Sequence, residues 1–312
     1  MAKLSIDDLE GAVVESFLAS SALSDLSGSS SSIPDHLWHY SDSAGAAGIL
    51  QSGELWATDA MFMNDPSELQ LVEGTFEVLF RNEQLLADSL TPVERSSFRD
   101  AFWQSLRGLS QDPGVYAVCF SEAGDLLSQW RTYGDRGGGY ALGFDATVFG
   151  NLMALGFRFF KVRYDIDDHV AGGRELIKIA ANALASFRPT DMSLRAEAVL
   201  EVASDLAIAA QWFSLQIKHP AYEQEQEWRL IYRPVWDRRE QLPRAFRATP
   251  RGLVPFVRVP FERLGTTSKA AVRQVKMGPT AREDLHGRAM NYLLGDLGFD
   301  LQVEQSSIPL RD

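Results

Sequence analysis

The chain has a single cysteine, Cys119, among its 312 residues. A disulfide needs a partner thiol and a cysteine-bound zinc needs several, so both frameworks are excluded. Histidine is scarce too, with five in all, and none stands at HExxH spacing. No apolar run reaches the ~18 residues that a membrane helix requires. The start, "MAKLSIDDLEGAVVESFLAS", carries acids where a signal peptide has a basic end and an apolar centre, so a cytoplasmic protein with no membrane partner is expected. Basic charge is also short: 30 Lys and Arg face 42 Asp and Glu, a net charge of −12. That argues against a protein whose main work is gripping nucleic-acid phosphates. One local exception is compatible with a basic groove, since Arg229, Arg233, Arg238, Arg239, Arg244, Arg247 and Arg251 crowd one stretch. There is no P-loop, no nucleophile elbow and no internal repeat.

What is present is an apolar fraction of 45%, enough to bury a core of domain size. Residues 5–23 read as a short amphipathic helix, and "SDLSGSSSSIPD" after it as a flexible connector. Residues 1–32 are therefore expected to stand apart from one α+β domain over 33–312. Within it, "HLWHYSD", "ELWATD", "VYAVCFSE", "GGYALGFD", "FRFFKVRYD", "EWRLIYRP", "LVPFVRVP" and "VRQVKMG" have the β-branched and aromatic content of strands. "SAGAAGILQSG" reads as a helix, residues 68–110 have helical periodicity, and 172–218 form an inserted helical pair. Helices and strands do not alternate strictly, and adjacent strands are often hairpin-connected. The expected class is α+β, with a bent or split mixed or antiparallel sheet flanked by the helical pair.

Few motifs carry chemistry. "YEQEQEWRLIY" places Glu223, Glu225 and Glu227 at alternating positions, which an extended segment would bring to one side. Repulsion on that side has two readings: catalysis by Glu225 and Glu227, or an exposed edge neutralised by Arg229 and Lys218. In "WHYSD", Trp38 and Tyr40 face one way and His39 the other, with Ser41 on the face of His39 and a helix start following. "MFMNDPSEL" sets Asn64, Asp65 and Glu68 around Pro66; a cap and capping box explain the shape, and a loop after a strand is also where binding groups collect. "SQWRTYG" puts Trp130 and Tyr133 on one helical face, either as core or as a stacking platform for a flat ligand. The glycines of "YGDRGGGYALGFD" read as a tight turn needing positive φ at Gly137 to Gly139, because a helix precedes and a strand follows, the reverse of a phosphate loop. "DIDDH", Asp165 to His169, reads as a solvated loop ahead of a metal site.

Taken in order, "LWHYSD", "NDPSE", "CFSE", "SQWRTYG", "GYALGFD", "E-x-EWRLIY" and "SSIPLR" resemble a widespread bacterial family of domains of unknown function. "LWHYSDSAGAAGILQSGELWA" is similar to the opening strand–helix–strand of ADP-ribosyltransferases, particularly the DarT-like toxins that act on DNA. That resemblance implies an NAD-consuming enzyme in toxin or phage-defence biology. It implies NAD as substrate, no metal, and a macromolecular acceptor, protein or nucleic acid. Residue by residue, it implies His39 on the NAD ribose, Glu227 as the catalytic glutamate and Glu225 completing an E-x-E pair. Tyr40, Ser41, Asn64, Asp65, Ser121, Trp130 and Tyr133 complete the expected NAD-binding set. This chain has "MNDPSE" where the DarT-like loop carries a catalytic arginine. Two other readings stay open: a non-catalytic module binding a nucleotide or a protein, and a nuclease with divalent metal on Asp65, Glu68, Glu225 and Glu227.

Overall fold

The computed structural model describes residues 9–19, 33–63, 67–82, 84–109, 114–149, 156–234, 241–249 and 252–309. In chain order the elements are α1 (Ala12–Ala19), β1 (His36–Ser41), α2 (Ser43–Ser52), β2 (Glu54–Asp59), α3 (Ser67–Phe80), α4 (Gln84–Ala87), α5 (Pro92–Leu109) and β3 (Tyr116–Ser121). There follow α6 (Leu127–Thr132), β4 (Tyr140–Asp145), β5 (Phe157–Lys161), α7 (Ile166–Ser186), α8 (Met192–Ser214), β6 (Glu227–Tyr232), β7 (Arg244–Thr249), β8 (Gly252–Pro260), α9 (Ser268–Ala271), β9 (Val272–Met277), α10 (Arg288–Asp296) and β10 (Val303–Gln305). The chain divides into two compact units. One comprises residues 1–30, 64–113 and 162–223, the other 31–63, 114–161 and 224–312.

The first unit is helical. Its core is aromatic, with Phe76 stacked on Phe102 at 4.9 Å and Phe80 edge-on to Phe102 at 5.1 Å. Helix α1 docks on α8 through a charged cap: the Val13 amide donates to Asp205 Oδ2 at 2.7 Å, and Phe17 meets Phe213 edge-on. "DIDDH" belongs here and is not a loop. Asp165 caps α7, Asp167 and Asp168 lie in its first turn, and His169 is buried with Nε2 against the Arg163 carbonyl at 3.0 Å. The acids are there because carboxylates suit a helix N-terminus.

The second unit is built on a ten-stranded sheet in the order β10-β9-β4-β1-β3-β2-β8-β7, with β6 paired to β3 and β5. Only β10 and β9 run parallel among these pairs, so the sheet is mixed, and it is not closed. The α+β class and the split follow from β3. One edge of β3 pairs with β6 along its whole length, from Tyr116↔Tyr232 to Ser121↔Glu227. The other edge is shared: β2 takes its start (Thr58↔Ala117) and β1 its end (Trp38↔Ser121). Between these two partners the edge of β3 is forked open. Opposite, the rings of Phe120, Phe149 and Phe159 pack at 4.9–6.3 Å into an aromatic core.

Candidate functional site

At the fork, the His39 ring meets the Cys119 carbonyl, Nδ1 to O at 2.9 Å. A carbonyl can only accept, so Nδ1 carries the proton and Nε2 of the neutral ring is the acceptor. Burial above all keeps this imidazole below its ordinary pKa; the Cys119 bond opposes that and the nearby charge of Arg247 reinforces it. Beside it is a cavity of about 60 Å³ lined by Trp38, His39, Tyr40, Cys119, Phe120, Gln129, Tyr133, Glu225 and Glu227. At ~15 Å³ per water that is room for roughly four waters, or one end of a larger ligand.

Five of the residues singled out from the sequence therefore meet: His39, Tyr40, Tyr133, Glu225 and Glu227. The two glutamates do so by a route the alternation did not foresee. Residues 220–225 form a 3₁₀ turn rather than a strand, Gln226 takes a left-handed φ of 44°, and β6 begins at Glu227. The left-handed residue turns Glu225 and Glu227 toward the same space, and both are buried, while Glu223 is exposed. The exposed-edge reading fails as well, because β6 lies between β3 and β5 and is buried throughout. Arg229 does neutralise Glu227, but inside the sheet. Its Nε donates to Oε1 at 2.7 Å and its terminal NH2 to Oε2 at 3.1 Å.

The remaining expected residues support or stand aside. Ser121 donates from Oγ to the Glu225 carbonyl at 2.7 Å and accepts from the Ala123 amide at 3.1 Å, which fixes the turn before Glu227. Trp130 is fully buried beneath Tyr40, ring centroids 4.8 Å apart. The Tyr40 hydroxyl is committed, donating to the Ala123 carbonyl and accepting from the Leu126 amide. Burial pushes that phenol well up, so Tyr40 offers the cavity only its ring. Ser41 is absent from the lining. Asn64 and Asp65 lie outside the described residues, as does the side chain of Glu68. Cys119, Phe120 and Gln129 were missed, and Arg229 was expected only as a surface neutraliser; the signal for Gln129 was its place in "SQWRTYG", one turn before Tyr133.

The glycine turn does not line the cavity. Its positive φ values fall on Asp135, Arg136 and Gly137 rather than on all three glycines. Gly139 is required for a different reason: a Cβ there would fall on the Ser41 carbonyl oxygen. The "SSIPLR" end ties to the same region through Asp125, whose carboxylate accepts from Trp130 Nε1 (2.7 Å), Ser306 Oγ (2.6 Å) and the Ser307 amide (2.8 Å). Burial alone would raise the Asp125 pKa, but these donors outweigh it and hold it below its ordinary value.

Among the described residues no group of three or more His, Cys, Asp or Glu is placed to hold a metal ion, and no helix is long and apolar enough to cross a membrane. No curated protein and no solved structure matches the chain. Residues 129–230, from Gln129 on α6 to Leu230 on β6, match the family model of DUF2971, a protein of unknown function; the match takes in Tyr133, Glu225 and Glu227 but not His39.

Proposed function

We propose that the chain is an NAD-consuming enzyme of ADP-ribosyltransferase or glycohydrolase type, with the fork of β3 receiving the nicotinamide ribose. The observation that carries this is the meeting of a neutral histidine, a tyrosine ring and two buried carboxylates in one cavity. Breaking the bond from nicotinamide nitrogen to ribose passes through an oxocarbenium-like cation, with the electron pair leaving on nicotinamide. A carboxylate paired with Arg229 and fixed at the head of a strand can stabilise that cation. His39 Nε2 is an acceptor for a ribose hydroxyl, and Tyr133 is a wall for the nicotinamide ring. An acceptor nucleophile, water or a macromolecule, then bonds to the ribose carbon, with Glu225 placed to take its proton. The nuclease alternative draws on Asp65 and on the side chain of Glu68, which lie outside what is described.

A second reading has its own support. Both oxygens of Glu227 already receive hydrogen bonds from Arg229, and such a carboxylate suits a binding module that never turns over. Cys119 separates ligand binding from its absence, since the chain has no other thiol. NAD, and nicotinamide at higher concentration, are expected to slow alkylation of Cys119 by iodoacetamide several-fold. An unchanged rate at millimolar NAD removes the cavity from both readings.

A further inference from the structure

We infer that Arg247 forms an anion-binding subsite next to the fork, suited to the phosphoryl oxygens of a ligand whose other end enters the cavity. The ligand's identity rests on the proposed function; the anion site rests on Arg247 itself. Strand register places Arg247 on the right face. It shares a side of β7 with Ala245, which pairs with Phe256. Phe256 pairs with Thr58, and Thr58 with Ala117. Two residues on, Cys119 pairs with Arg229, and Ser121 with Glu227. Side chains alternate strictly along strands, so Arg247, Phe256, Thr58, Cys119, Arg229 and Glu227 share one face of the sheet.

The guanidinium extends inward along that face. Its carbon lies 5.7 Å from the Phe256 ring centroid, and its NH2 donates to Thr58 Oγ1 at 2.8 Å. Among the described residues this is its one hydrogen bond, and it has no ion pair there. Arg229 and Arg195, by contrast, are each bound by a carboxylate. A guanidinium has five donors in a planar fork. Partial burial disfavours its charge and lowers its pKa, with Asp42 only partly offsetting this. None of its donors is buried without a partner, so those not held by Thr58 are open to solvent, where an anion can supply paired acceptors, and phosphate oxygens match the fork bidentately. Thr58, which holds the guanidinium, pairs with Ala117, two residues from Cys119 in the cavity lining, so the anion that Arg247 would hold lies close to the cavity. A cavity of about 60 Å³ admits only the ring end of a nucleotide, and the phosphates must then lie outside it.

The test is calorimetric titration of the wild type, Arg247→Gln, Arg247→Lys and the exposed control Arg258→Gln with ADP-ribose, inorganic pyrophosphate and nicotinamide. Arg247→Gln is expected to weaken both phosphate-bearing probes at least about tenfold, the loss of a charge-assisted bond. Nicotinamide binding stays unchanged. Arg247→Lys, which keeps the charge without the fork, falls between and serves should the Gln variant not fold. Arg258→Gln changes nothing beyond about twofold. Absence of pyrophosphate and ADP-ribose binding to the wild type, or an equal loss in Arg258→Gln, overturns the subsite. Pyrophosphate binding through Arg247 without NAD or nicotinamide binding leaves the subsite standing and removes the NAD reading. Nicotinamide binding with no Arg247-dependent anion does the reverse.

Discussion

Arg229 and Glu227 are two residues apart on one buried strand and are joined by a two-point hydrogen-bonded ion pair, at 2.7 and 3.1 Å. The Arg229 side chain has no solvent exposure and that of Glu227 only 6%. Removing either partner leaves the other charge buried.

The first expectation follows directly. Arg229→Met strands the Glu227 carboxylate and should cost about 3–5 kcal/mol in urea unfolding. Glu227→Gln keeps an oxygen for Nε and should cost less, about 1–3 kcal/mol. The double variant should cost clearly less than the sum, because the pair is one unit. Additive losses would mean that the two side chains act independently.

Gln226 gives a second. Its left-handed φ of 44° is strained by about 1–2 kcal/mol in a residue with a Cβ. Gln226→Gly should therefore leave stability unchanged or raise it by up to about 1 kcal/mol, while β-branched Gln226→Val should lower it and weaken NAD protection of Cys119. Equal melting temperatures for the Gly and Val variants would contradict the strain.

The two units should respond to pH in opposite senses. In the helical unit, burial foremost raises Asp205 from 3.8 to about 6, against the amides of Val13 and Val14 and with Glu201 and Glu15 adding repulsion. A carboxyl whose folded pKa is raised contributes stability below its unfolded value and loses it as pH rises through about 6. Asp205→Asn should flatten that loss, on the order of 3 kcal/mol at most. His39 is depressed below 6.5, so its contribution is present above pH 6.5 and lost as pH falls through the folded value. His39→Gln should remove that acid-side slope. Stability curves of the two variants against pH, read by urea midpoint, check both signs. Slopes left at wild-type size would count against these assignments.

Much of this was legible in the chain. The β-branched and aromatic runs marked the strands, and "WHY", "WRTY" and "E-x-E" hold six residues of the cavity lining, Trp38 among them. Strand alternation failed at Glu223 to Glu227 because the turn hangs on a left-handed Gln226, and no glycine or asparagine announces it. The same happened at Asp135 and Arg136, which take the positive φ values that the adjacent glycines advertised. Arg229 read as surface neutralisation because one sequence does not say that β6 has a strand on each side. The fork of β3 lies in pairings between residues about 60 to 80 positions apart, beyond any local pattern. Cys119 enters the cavity only because that fork exists.

The central claim is that Glu227, paired with Arg229 beside this cavity, stabilises the cation formed when nicotinamide leaves. Nicotinamide release from NAD by purified wild type and Glu227→Gln, both confirmed folded by thermal melt, tests it most directly. The account predicts measurable release by the wild type and a fall on the order of 100-fold or more in Glu227→Gln, the scale of one preorganised electrostatic group. Wild-type protein that protects Cys119 with NAD yet releases no nicotinamide, or Glu227→Gln that matches wild type in rate, would contradict it.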